Sequence, residues 1–251
     1  MRDALGRDRA TEALAFGAAA AAYDRYRPTY PPAALQWALG AEPLRVVDLG
    51  AGTGLLTRVL LRLGHHVIAV DPDARMRAQM SENDDLVEPQ AGTAEAIPVP
   101  DGSVDAVVAG QAYHWFDPDK AHPEIARVLR AGGVFAPLWN LRDDAVPWVA
   151  EISHIANGLP RRDGSYTAAF DYDFGPLFHR TERRAFRHDV STTADSLLAM
   201  IRTRSWYLTA SPAVRTEIET GVAGVTAKLP ATFDLPYLTW VHRTYRRPIT
   251  S

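Results

Sequence analysis

The 251-residue chain contains no cysteine, which excludes disulfides, thiolate metal sites and a cysteine nucleophile. It has no excess of positive charge. Lys and Arg number 27 against 30 Asp and Glu, a formal net charge of −3, so no bulk basic field draws it to nucleic acid. Arg183-Arg184 and Arg246-Arg247 leave a local basic patch open, although scattered arginines are usually solvated surface. No uninterrupted apolar run is long enough to span a bilayer. Arg2, Asp3, Arg7, Asp8 and Arg9 rule out a signal-peptide core at the N-terminus, and the apolar run Ala18 to Ala22 is too short for one. A cytoplasmic location with no membrane and no nucleic-acid partner is therefore expected. Internal repeats and low-complexity linkers are also missing. With 47% apolar residues, a single domain over 1–251 is expected.

Two phosphate-binding signatures are absent as well, and this matters because a glycine-rich turn is present. Val46-Val47-Asp48-Leu49-Gly50-Ala51-Gly52-Thr53-Gly54 reads as a buried strand that ends in an acid and turns through glycines. A leucine-rich helix pattern over 55–63 follows. A dinucleotide fingerprint needs its third glycine at the sixth position, where this chain has Leu55. A P-loop needs a terminal Gly-Lys-Ser/Thr, and no basic residue occurs before Arg58. Asp48 would repel a pyrophosphate and suits a cofactor with a cationic end. An isolated glycine triplet is equally compatible with a tight strand-to-helix turn that binds nothing.

The following segment favours the ligand. His66 to Val70 reads as a second strand, and it ends in Asp71, about twenty residues after the glycine loop, where a carboxylate can accept both ribose hydroxyls. Asp73 is placed to cap the next helix. His65 and His66 point to opposite faces of a strand and make a poor chelating pair, and no metal is expected.

In order along the chain, these segments resemble the class I S-adenosylmethionine-dependent methyltransferases, in the branch called type 11 methyltransferase domains. The resemblance runs from about Tyr23 to Leu141. Val46 to Gly54 is similar to the family's first motif and Ile68 to Asp71 to its second. Gly92-Thr93-Ala94-Glu95-Ala96-Ile97-Pro98 is similar to its adenine loop. Val104 to Val108 is similar to the fourth strand, and Arg130-Ala131-Gly132-Gly133-Val134-Phe135 to the turn into the fifth. The resemblance implies that S-adenosylmethionine is held by Asp48, Gly50, Ala51, Gly52, Asp71, Pro72, Met76, Ala94, Glu95 and Gln111. It also implies that Tyr23 and Arg27, in a stretch ending Tyr26-Arg27-Pro28-Thr29-Tyr30, cover the methionine end. The alternative there is a helix packed on the sheet edge.

Strands are expected near 45–49, 66–70, 86–90, 104–109 and 133–138. Helices are expected near 33–39, 55–63, 73–80 and 118–130. The alternation implies an α/β fold, doubly wound around a mainly parallel sheet, a seven-stranded Rossmann-like arrangement. An antiparallel pair over 181–190 and 237–246 would finish the sheet. Helices near 148–159, 195–203 and 212–227 lie around that pair. The chain thus reads as an N-terminal helical lid (1–40), a cofactor-binding core (41–141) and a substrate-side remainder (142–251).

Gln111 to Asp117 follows the fourth strand, where the resembled architecture places residues near the transferred methyl. The Asn/Asp-Pro-Pro-aromatic motif of amino-directed nucleic-acid enzymes is absent there. His114 is a candidate general base, since imidazole titrates near neutral pH, or alternatively a pocket-shaping residue. Tyr113, Trp139, Arg204 and Trp206 are candidate substrate contacts, an arginine there being suited to a carboxylate. The leading expectation is methyl transfer to a small molecule, oxygen slightly ahead of nitrogen or carbon. RNA or protein methylation, and cofactor binding without transfer, remain as alternatives. The acceptor and the oligomeric state are left open.

Overall fold

The structure, a computed structural model, describes residues 26–83, 87–157 and 172–248. The chain runs α1 (Pro32–Leu39), β1 (Arg45–Leu49), α2 (Leu55–Arg62), β2 (His66–Asp71), α3 (Ala74–Asn83), β3 (Gln90–Ala91) and β4 (Val104–Gly110). A 3-10 turn (Tyr113–Trp115) leads into α4 (Pro118–Val128) and β5 (Leu129–Arg142). Then come α5 (Pro147–Asn157), β6 (Glu182–Thr192), α6 (Ala194–Arg202), α7 (Ser205–Leu208), α8 (Pro212–Thr226) and β7 (Phe233–Tyr245). The seven strands form one sheet in the order β3-β2-β1-β4-β5-β7-β6. β1 to β5 pair in parallel and β6 with β7 antiparallel, as the alternation of elements implied.

The elements start and stop where local chemistry requires. Pro32 opens α1, and Gly40, at φ 85°, closes it by donating to Gln36 O. α2 buries Leu56, Thr57, Val59 and Leu60, a 3.6-residue stripe. Asp73 caps α3 by accepting the Arg75 N–H at 2.8 Å. Several expected elements differ in extent: the fifth strand, expected over 133–138, runs Leu129–Arg142, and the last, expected from 237, begins at Phe233. The third strand, expected over 86–90, is described only as Gln90–Ala91. The helix expected through 130 ends at Val128 because Leu129 is fully buried and extended, paired with Val104. β5 then bulges before Val134 pairs with Ala106.

The described residues divide into two compact units. One comprises 29–140, 172–186 and 239–248. Its core on one sheet face joins Leu35, Leu56, Leu60, Val46, Val108 and Leu138. The other unit comprises 26–28, 141–157 and 187–238, and its core joins Ile152, Met200, Ile201, Val222 and Tyr237. Here Thr193 caps α6 and Ser211 caps α8. Arg202 grips Glu219 with two bonds of 2.8 Å, and the Tyr207 hydroxyl donates to the same carboxylate. Among the described residues, no helix is long and apolar enough to cross a membrane.

Leu60 is wholly enclosed in the first core. Leu60→Ala should lower unfolding free energy by about 2–5 kcal/mol in denaturant titrations, with the denaturant dependence unchanged.

Candidate active site

The glycine loop is tied to the neighbouring strand at three points. Gly50 and Ala51 both donate to Val70 O, at 2.8 and 3.1 Å, and Gly52 N donates to Asp71 Oδ2 at 2.8 Å. Gly50 sits at φ 72°, and a Cβ there would lie 2.6 Å from Ala112 Cβ, so both conformation and space require glycine. Among the described residues, nothing lies within 4 Å of where a side chain at Gly52 would point, which leaves that face of the loop open to them. Asp71 Oδ1 also accepts the Asp73 N–H at 2.8 Å. Each carboxylate oxygen therefore takes one backbone donor and keeps a second lone pair.

Asp48 lies beneath the loop, fully buried. Its Oδ2 accepts the Thr57 hydroxyl at 2.6 Å, while its Oδ1 and the buried Thr53 Oγ1 have no hydrogen-bond partner. Burial raises the Asp48 carboxyl to about 7, opposed by the Thr57 bond and assisted by the charge of Asp71. Asp71 is raised too, chiefly by burial, against the two backbone bonds that stabilise its charge. Two carboxylates at adjacent strand ends, both penalised by burial, form a site that a cation would relieve.

At the next strand ends, Ala94 and Glu95 occupy the tip of a two-residue turn closed by Thr93 and Ala96. Gln111 is the one described non-glycine residue at positive φ (56°), and its amide donates to Asn140 O at 2.7 Å. Met76 is buried on α3 and Pro72 is exposed just ahead of that helix.

A family model described as a methyltransferase domain matches residues 47–136. An uncharacterised methyltransferase of Mycobacterium tuberculosis is 40% identical over 237 residues, covering 90% of this chain and 93% of that protein. The chain belongs to the class I S-adenosylmethionine-dependent methyltransferases. An uncharacterised methyltransferase of Schizosaccharomyces pombe is 39% identical over 138 residues, 53% of this chain and 55% of that one. A solved structure from Anaeromyxobacter dehalogenans, named as a type II methyltransferase, shares the fold. Its TM-score is 0.65 at 23% identity, covering 89% of this chain and 99% of its own.

The donor set of this methyltransferase fits its cofactor. A cationic amino-acid sulfonium suits the open loop face above two buried acids, one of them with an unpartnered oxygen. Asp71 retains acceptor capacity for hydroxyls. After β4, Tyr113 lies at the centre of an aromatic cluster. Its ring meets Phe116, Phe135, Trp139, Tyr172 and Phe174 at 5.1–6.0 Å, and its hydroxyl shares a 2.8 Å hydrogen bond with His122 Nε2. Burial holds the Tyr113 hydroxyl protonated and lowers His122. Trp139 stacks on Tyr172 at 5.2 Å with the rings nearly parallel. His114 is exposed, its ring 4.9 Å from that of Trp115.

The remaining candidates lie elsewhere in the chain. Arg27 and Arg204 belong to the unit containing α6 to α8, where Arg27 donates to Thr203 Oγ1 at 3.4 Å and Arg204 reaches Met200 Sδ at 3.9 Å. Trp206 is on α7, and Tyr23 lies outside the described residues. Sequence reasoning missed Thr57 and Thr53 around the buried acid. It also missed Glu124 and Arg127 beside the 92–101 segment, for which the only sequence signal is a Glu-Arg pair spaced i,i+3.

Because the folded state binds the Asp48 proton more tightly than the unfolded chain, Asp48 favours folding fully below pH about 4. That contribution fades as pH rises to about 7. Asp48→Asn does not titrate. Its unfolding free energy relative to wild type should therefore rise from pH 4 to 7, by at most about 4 kcal/mol, and then level off. Parallel ligand-free melting curves across this range check it, and a flat difference would contradict it.

Proposed function

We propose that this methyltransferase transfers the methyl group of S-adenosylmethionine to a small-molecule acceptor, with an oxygen nucleophile favoured. The carrying observation is the junction at which Gly52 and Asp71 meet over the buried Asp48. In this reading Asp71 accepts the ribose hydroxyls, and Gly50, Ala51 and Gly52 pass their backbone along the amino-acid part. Asp48 offsets that part's positive charge from beneath the loop. Ala94 and Glu95 face the base, with Pro72 and Met76 on its other side. Gln111, held by Asn140, orders the backbone at the reacting end. The resemblance alone assigns Tyr23 and Arg27 to the cofactor.

The bound cofactor supplies an already activated methyl, so alignment and exclusion of water are the chain's main tasks. Tyr113 and Trp139 form the apolar side of the acceptor site; Arg204 and Trp206 are assigned as acceptor contacts from the sequence alone. His114 takes the proton of an acceptor hydroxyl. The mild acidity of the chain supports a small acceptor over a polyanion.

Calorimetry with S-adenosylhomocysteine tests the cofactor site. Wild type should bind it and not NAD, and Asp71→Ala should weaken binding at least about tenfold, as expected when hydrogen bonds to a charged acceptor are lost. Wild type that does not bind S-adenosylhomocysteine would refute the reading. Once an acceptor is found, His114→Gln should lower kcat about a hundredfold, abolish its acidic limb and leave S-adenosylhomocysteine affinity unchanged. An unchanged kcat would remove His114 from catalysis.

A further inference from the structure

The turn read here as facing the cofactor's base is held to the sheet by little backbone. β3 is two residues long and pairs with β2 only through Val70 with Gln90 and Asp71 with Ala91. Beyond it, Thr93 and Ala96 exchange N–H···O bonds of 3.3 and 3.2 Å, which shape the turn without directing it. So short a strand fixes a segment several residues away poorly.

Side chains of α4 supply the missing constraint. Arg127, in its last turn, donates from Nε and Nη2 to the two oxygens of Glu124, both at 2.8 Å. Nη2 also reaches Ile97 O at 3.0 Å. Nη1 reaches Val99 O at 3.0 Å and Asp101 Oδ1 at 2.5 Å. All five guanidinium N–H groups are thereby used, three of them on residues 97–101. Glu124 Oε1 accepts the Ile97 N–H at 2.8 Å in return. The tip is held separately, because Glu95 Oε1 accepts the Asp117 N–H at 2.9 Å at the start of the same helix. At the root, a Cβ on Gly92 would lie 2.6 Å from Pro98 Cδ and 2.8 Å from Val70 Cγ1, so Gly92 sits closely between the returning leg and the residue preceding Asp71.

The network is not part of the core. The Asp101 side chain is 81% exposed and that of Arg127 31%. A single ion pair this exposed adds little to folding stability, although Glu124 is only 16% exposed and its bidentate pairing carries more weight than an isolated surface pair. What a saturated planar fork does provide is fixed geometry. We propose that Arg127 is a positioning residue for the cofactor's base: by clamping residues 97–101 to α4 it sets the distance between the Ala94–Glu95 tip and Asp71. This rests on the reading of the 92–98 segment as the base-binding loop.

The test compares S-adenosylhomocysteine with S-ribosylhomocysteine, the same molecule without its base, by calorimetry on the full chain. Wild type should prefer the former. Arg127→Met should weaken S-adenosylhomocysteine about tenfold and leave S-ribosylhomocysteine within about twofold, since only the positioning shell of the base is loosened. Arg127→Lys keeps the charge without the fork and should recover only part of the loss. Equal weakening of both ligands, or unchanged S-adenosylhomocysteine binding, overturns the proposal. A wild type that does not distinguish the two ligands refutes the base-loop reading itself, and the proposal falls with it. Should Arg127→Met fail to fold, Glu124→Gln and Asp101→Asn each cut one arm. Each should give a smaller loss confined to S-adenosylhomocysteine, and a loss shared by both ligands again overturns the clamp.

Discussion

The hydrogen bond from Gly52 N to the Asp71 carboxylate is the constraint on which the site depends. It joins a loop that belongs to β1 to the last residue of β2, and the two bonds on Val70 O reinforce it. The parallel register brings the two strand ends level, with Leu49 opposite Val70. The loop is thus shaped by its neighbour as much as by its own glycines. The cost is electrostatic, because this arrangement places Asp48 and Asp71 close enough for the charge of one to raise the proton affinity of the other. Buried acids with an unpartnered oxygen oppose folding unless a positive group compensates them. Strain of this kind, concentrated at one end of a sheet, is more readily understood as preparation for a cationic ligand than as a folding device.

Much of this was legible in the sequence because it rests on local rules. Asp48 and Asp71 at strand ends, the glycine spacing, the Asp73 cap and the alternation of apolar runs each need only a few neighbouring residues to be read. The illegible parts depend on distant partners. Leu129 looks like the end of a helix until its pairing with Val104 is known. The place of Tyr113 after β4 is readable, but its enclosure by Phe174 and Tyr172, some sixty residues later, is not. Glu124 and Arg127 look like one more exposed helical ion pair, since the backbone N–H and carbonyls they bond lie about thirty residues earlier.

The unit containing α5 to α8 follows a different logic. Its core is aliphatic and aromatic, and among its polar contacts Arg202 and Tyr207 converge on Glu219 while Arg215 caps Tyr207 O and Leu208 O. These bonds join successive helices of one unit and make its geometry self-contained. Among the described residues, all the proposed cofactor contacts except Arg27 fall in the other unit, so the cofactor-side geometry is likewise built within one set of contacts.

Helix α4 gives that geometry its coherence. Its N-terminal residue pair, Asp117 and Pro118, directly follows the segment that carries Tyr113 and His114, and Asp117 also receives Glu95. Ten residues on, Arg127 and Glu124 hold the returning leg of the same turn. On the proposed reading, α4 therefore runs from the methyl side of the site to its base side. For a reaction whose reagent is already activated, rate is governed by how narrowly the reacting atoms are placed. On the proposed reading, a displacement at the base end is carried along α4 toward the reacting end, because Glu124 and Arg127 fix one end of the helix to the turn and the Asp117–Glu95 bond fixes the other.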